Sequence, residues 1–162
     1  MKTIGVFILG TLLLVFSSFQ PSDRKEKKLQ KEKDMIQLIE LGHFRFIARN
    51  AKSSIGNFNN LSINYDLVFD SLKIKAYLPY YGRAYSAPYG GDGGVKFDLT
   101  AEEIDKRWNK KKKMFYIKTE VSDSQDSYSL YLTASPSGYA DLKINFRNRQ
   151  TISYYGIIEK IE

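Results

Sequence analysis

From Phe44 to the C-terminus the apolar residues recur with period two, and this alternation restricts most of the chain to β-structure. Leu61, Ile63, Tyr65, Leu67 and Phe69 alternate with Ser62, Asn64, Asp66 and Val68. After Asp70-Ser71 the pattern resumes, with Leu72, Ile74, Ala76 and Leu78 set against Lys73, Lys75 and Tyr77. Successive side chains of a strand point to opposite faces, so each run has one face suited to a core and one suited to water. Phe44, Phe46 and Ala48 begin an earlier strand. Later strands are marked by Val95, Phe97 and Leu99; by Phe115, Ile117, Thr119 and Val121; and by Tyr128, Leu130 and Leu132. Ala140, Leu142, Ile144 and Phe146 follow, and then Ile152, Tyr154 and Ile158, with Ser153 and Tyr155 on the opposite face.

Short polar segments such as Ser135-Pro136-Ser137-Gly138 and Arg147-Asn148-Arg149-Gln150 separate these runs, and short turns join antiparallel neighbours. The expectation is an all-β domain of about eight antiparallel strands. Open sheet edges invite aggregation, so the sheet should close as a small barrel or curve strongly, with a two-sheet β-sandwich as the alternative. Thr100-Ala101-Glu102-Glu103 has the spacing of a capping box and predicts a single helical turn.

Residues 24–41 read as one N-terminal helix. Met35, Leu38 and Ile39 form its apolar stripe, and Gly42 is placed to stop it. Residues 34–41 should cap the core, while the charged stretch 18–33 reads as a linker or tether, so the folded domain is 34–162. Ahead of it, Met1-Lys2, the uncharged apolar run Thr3–Phe16 and the polar segment from Ser17 follow the layout of a secretory signal peptide. The run is shorter than the roughly 20 residues that span a bilayer. Val15 and Ser17 suit cleavage after Ser17, giving a signal peptide of 1–17; an uncleaved anchor is the alternative. Either way the domain is expected in the periplasm or cell envelope, with its N-terminus near a membrane surface.

The absence of cysteine excludes disulfides, zinc–thiolate sites, thiol catalysis and a lipid-modified cysteine. A net charge of +7 raises nucleic acid as a partner. The export signal and the dispersed charge argue against it. The mixed run at 23–34 suits a solvated helix face, and Lys110–Lys113 suits a hairpin tip.

The segment 77–97 carries five tyrosines, two prolines and five glycines, too polar and bent for a core strand and too aromatic for a linker. Its candidate binding residues are Tyr77, Tyr80, Tyr81, Arg83, Tyr85 and Tyr89. Tyrosine rings with a hydroxyl at the edge suit sugars, peptides or amphipathic ligands, and Arg83 offers a rigid donor fork. The same residues could instead plug the barrel mouth, with Arg83 bonding backbone carbonyls. Gly90-Gly91-Asp92-Gly93-Gly94 reads as a turn, because a phosphate loop needs a following helix and a calcium loop more carboxylates. His43 is the only histidine, no Gly-x-Ser-x-Gly elbow occurs, and no carboxylate pair stands out. No catalytic residue, metal site or cofactor is assigned.

Two segments resemble the bacterial family catalogued as DUF4251, a domain of unknown function. They are Leu78-Pro79-Tyr80-Tyr81-Gly82-Arg83-Ala84-Tyr85 with Gly93-Gly94-Val95-Lys96-Phe97, and Arg149-Gln150-Thr151-Ile152-Ser153-Tyr154-Tyr155-Gly156. Phe44-x-Phe46-x-Ala48 after a helix also fits. The resemblance implies a small exported envelope protein and carries no catalytic residues. Many such proteins resemble lipoproteins, and the absence of cysteine sets this chain apart from those. The expected function is non-enzymatic binding of a small amphipathic ligand or an envelope protein through 77–94. A structural or interaction module with a filled core is the alternative, and an enzyme the third.

Overall fold

A computed structural model describes residues 22–56, 58–85, 93–124 and 126–161. The expected signal peptide 1–17 and Tyr89 lie outside the described residues. Helix α1 (Ser22–Leu41) precedes nine strands: β1 (His43–Ser53), β2 (Phe58–Asp70), β3 (Lys73–Leu78), β4 (Val95–Thr100), β5 (Ile104–Asn109), β6 (Met114–Ser122), β7 (Ser127–Ala134), β8 (Tyr139–Phe146) and β9 (Ile152–Lys160). They form one antiparallel sheet in the order β4-β3-β2-β1-β9-β8-β7-β6-β5. Two meanders, β1–β4 and β5–β9, are therefore joined where the last strand pairs with the first.

Chain length dictates the shape. In a flat sheet the edge strands β4 and β5 would lie about 38 Å apart at the usual strand spacing. Residues 101–103 are all that join them, and such a link spans at most about 14 Å. The sheet therefore curls into a half-barrel, and the chain passes from one sheet edge to the other at this corner.

That corner differs from the sequence expectation. Thr100 to Glu103 form no helical turn; Thr100 stays in β4 opposite Lys73, and Ile104–Asn109 is the additional strand. The backbone groups needed for a turn are engaged elsewhere. The Ala101 N–H donates to the Leu72 carbonyl at 2.9 Å, and the Thr119 hydroxyl donates to the Glu103 carbonyl at 2.7 Å. Leu72, expected on the core face, is exposed beside Ser71, whose φ of 55° makes the tight turn into β3.

The concave face carries the core. Phe44, Phe46, Leu67, Phe69, Ile74, Leu78, Ile117, Leu130, Leu132, Leu142 and Tyr154 are essentially inaccessible and belong to one continuous cluster. In helix α1, Ile39 is fully buried, and Met35, Ile36 and Leu38 pack on the same cluster. The first half, from Arg24 to Lys31, is exposed. Gly42 ends the helix with φ 69°, and Lys106 of β5 donates to the Glu40 carbonyl at 3.2 Å.

In β1 the burial phase shifts at Arg49, where the register against both β2 and β9 is broken. On the core face the buried positions run Phe44, Phe46, Ala48 before this bulge and Ala51, Ser53 after it; Ile47 is buried too, outside the core cluster. Gly156 lies opposite Ala48 and Ala140. A Cβ at Gly156 would collide with the Ile47 carbonyl and press on the Phe46 ring, so glycine is required for β9 to lie this close to β1.

Candidate functional site

The segment 79–85 returns along the β8–β9 turn and closes one end of the half-barrel. Ala84 bridges Arg149, the Tyr85 N–H donates to the Asn148 carbonyl at 2.9 Å, and the Gln150 N–H donates to the Arg83 carbonyl at 3.0 Å. Tyr80 is half-buried between the two segments. Its hydroxyl lies 2.8 Å from the Gln150 carbonyl and 3.0 Å from that of Arg83, and its ring meets Phe146 edge-on at 5.4 Å. Below it, the buried Tyr154 hydroxyl donates to the Pro79 carbonyl at 2.7 Å.

The electrostatic centre of this rim is a pair that sequence reasoning did not single out. Asp126 and Arg149 have side chains only 4% and 11% exposed, and Arg149 Nε donates to Asp126 Oδ2 at 3.0 Å. Asp126 Oδ1 accepts the backbone N–H groups of Ser127, Arg147 and Asn148. Arg149 Nη1 donates to the Gly94 carbonyl at 3.1 Å, and its guanidinium lies over the rings of Phe146 and Tyr80. Burial of two charges is tolerated when their donors and acceptors find partners, as Arg149 Nε and Nη1 and both Asp126 oxygens do here. One signal was present in the sequence, because Arg149 stands in the second family-like segment. Asp126 was one aspartate among several in a polar stretch.

The predicted site residues divide by position. Tyr80 is built into the rim. Tyr81 and Tyr85 are exposed on it, as is Arg83, whose backbone rather than its guanidinium makes the bonds described; the carbonyl-gripping arginine is Arg149. Tyr77 lies apart on β3, its ring 5.5 Å from Tyr65 and 5.0 Å from Lys96 Nζ. Burial raises the pKa of Tyr80, against the lowering influence of Arg149. Burial also raises that of Tyr128, with Asp123 adding to it, and that of Tyr154 further still. Each of these phenols donates a hydrogen bond: Tyr80 to the Gln150 carbonyl, Tyr128 to Asp123 Oδ2 at 3.4 Å and Tyr154 to the Pro79 carbonyl.

His43 is exposed, its Nδ1 lying 2.8 Å from Asp70 Oδ1 across β1 and β2. A cleft of about 690 Å³ opens to solvent beside the β4–β5 corner, with Glu102, Glu103, Asp105 and Glu120 in its lining. Asp105 is held by Arg107 at 2.7 Å, and Glu120 lies 3.8 Å from Lys118. Among the described residues no group of three or more His, Asp or Glu side chains is placed to hold a metal ion.

Fold and rim together define a single antiparallel half-barrel domain, capped by one helix and latched by a buried ion pair. The chain belongs to the DUF4251 family: the model of this domain of unknown function matches residues 26–158. It is similar in fold to a DUF4251 family protein from Bacteroides eggerthii DSM 20697, known from a crystal structure at 1.95 Å. The TM-score is 0.62 at 17% identity, covering 81% of this chain and 88% of that one. No curated protein matches the chain.

Proposed function

We propose that this chain is an exported cell-envelope protein whose half-barrel is a non-enzymatic binding module acting through its outer surface. The observation that carries this reading is the filled concave face: Phe44, Phe46, Phe69, Leu130 and Tyr154 occupy the space where a barrel-type carrier holds its guest. The rim supports the same reading. Arg149, Asp126, Tyr80 and Tyr154 bind one another or backbone, whereas Tyr81, Arg83 and Tyr85 face outward. Export rests on the N-terminal signal layout, and the absence of cysteine favours a periplasmic or loosely membrane-associated form over a lipid-anchored one.

Native mass spectrometry of the mature protein, purified from its own envelope, tests the reading. The expected result is a bare polypeptide mass with an N-terminus near Ser18. A reproducible bound mass of a few hundred daltons that leaves on denaturation would make the protein a small-molecule carrier and overturn the filled-core module. An intact Met1 would overturn cleavage and favour the anchor.

A further inference from the structure

On the convex side of the sheet, register aligns outward side chains into two neighbouring transverse rows. One runs Arg107–Tyr116–Thr133–Asp141–Tyr155–Asn50 across β5, β6, β7, β8, β9 and β1. The other runs Asp105–Lys118–Tyr131–Lys143–Ser153–Lys52 over the same strands and continues to Phe58 of β2. We propose that these rows form a binding face for an extended acidic polysaccharide lying across the strands. The proposal rests on the preceding reading, that binding is done by the outer surface, and names its site and ligand class.

The side-chain chemistry supports that ligand. A sugar ring offers an apolar C–H face and a rim of hydroxyls, and it is met by aromatic faces beside planar or hydroxylic polar groups. Tyr116, Tyr131, Tyr155 and Phe58 are 36–58% exposed, although each belongs to a well-packed sheet. Between them stand Thr133, Ser153, Asp141 and Asn50, and Asn50 is oriented by a hydrogen bond to Asn60. Where β1, β8 and β9 meet, a cleft of about 340 Å³ opens on this face, with Tyr155, Tyr139, Asp141, Asn50 and the bulged Arg49 among its lining residues. Bulges re-aim side chains in this manner beside binding sites. Tyr139 and Tyr155 occupy diagonal corners of the cleft, because Tyr139 pairs with Ile157 and Asp141 with Tyr155.

Charge selects the acidic class. Lys118, Lys143 and Lys52 follow one another at intervals of two strands, about 10 Å; Lys118 shares its charge with Glu120 at 3.8 Å and lies over the Tyr131 ring, so the free charge of the line is carried by Lys143 and Lys52. Asp105 at the end of this row is neutralised by Arg107, and among the described residues neither Lys143 nor Lys52 meets a carboxylate. A polymer with carboxylate or sulfate groups at intervals matches this line, while a neutral glycan would leave Lys143 and Lys52 without a role.

The test is calorimetric titration of the mature protein with polygalacturonate and with chondroitin sulfate, using dextran and single-stranded oligodeoxynucleotide as comparisons. Binding of at least one acidic glycan is expected, weakening as salt screens the lysines. Tyr131→Ala with Tyr155→Ala should weaken it at least tenfold, and Lys143→Gln several-fold, at unchanged melting temperature. Failure of both acidic glycans to bind overturns the proposal. So does oligonucleotide binding of equal strength that ignores the tyrosine substitutions, because the face would then be a generic cation patch. Loss of glycan binding on Tyr85→Ala rather than Tyr155→Ala would move the site to the rim and leave outer-surface binding standing. A carried small molecule in the mass spectrum would remove that reading itself.

Discussion

Arg149 illustrates how one side chain can close a structure. Its guanidinium reaches Asp126, the Gly94 carbonyl and two aromatic faces, so three loops depend on it. Arg149→Ala leaves Asp126 buried without a counter-charge, a loss of about 3–5 kcal/mol in comparable buried pairs. Three backbone N–H groups still serve Asp126, so the expected loss is near the lower figure. Urea denaturation measures it, and a cost within the roughly 0.5 kcal/mol of an ordinary surface change would sink the latch. Arg83→Ala should stay within that surface range. Asp141 offers a pH test. Burial alone raises its pKa above 3.8, so the folded state holds its proton more tightly than the unfolded chain. Stability from this group is therefore present at low pH and declines as pH rises through the raised value. Asp141→Asn should accordingly be more stable than wild type at pH 7, with the difference fading below about pH 3.8. A difference that grows on acidification would reverse the sign and refute the argument.

At the scale of the element, what the sequence revealed follows from what local pattern can encode. Strands with one buried face were legible because burial and alternation coincide: Ile74, Ala76 and Leu78 alternate and are buried. The β5 sequence Ile104-Asp105-Lys106-Arg107-Trp108-Asn109 has no such alternation, because an edge strand beside a helix and a corner has no clean apolar face. Its capping-box prelude was overridden by tertiary hydrogen bonds from Thr119 and to Leu72. The rim tyrosines were visible as an unusual segment, but their division into latch and surface depends on a turn some seventy residues away, which no local pattern encodes. Helix α1 carries its own prediction. Among its described side chains Ile39 is the one fully buried, so Ile39→Ala should cost about 2–5 kcal/mol in thermal or chemical denaturation, whereas Lys31→Ala should cost almost nothing. Equal effects would mean that the helix does not dock through this stripe. Gly156→Ala should cost at least as much as Ile39→Ala, since the obstruction is the Ile47 backbone rather than a movable side chain.

For the whole molecule, the decisive fact is that the first and last strands are neighbours at the middle of the sheet. Phe44 pairs with Lys160 and Ser53 with Ile152, so β1 and β8 each lack one neighbour until β9 is in place. That pairing joins residues far apart in sequence, and such contacts form late because loop closure precedes their reward. The same strand supplies Tyr154, whose hydroxyl anchors the rim through Pro79, so barrel closure and rim formation become one event. Amide exchange should then be slowest in β1, β8 and β9, and fastest among the strands in β4 and β5, which bond a neighbour on one side only. A chain ending at Asn148, lacking β9 and Arg149, should show no cooperative unfolding transition by circular dichroism. If that fragment instead melts cooperatively, β1–β4 or β5–β8 is an independent folding unit and the central pairing is an addition to it. If β4 exchanges as slowly as β9, a pairing beyond the nine-strand ladder protects that edge.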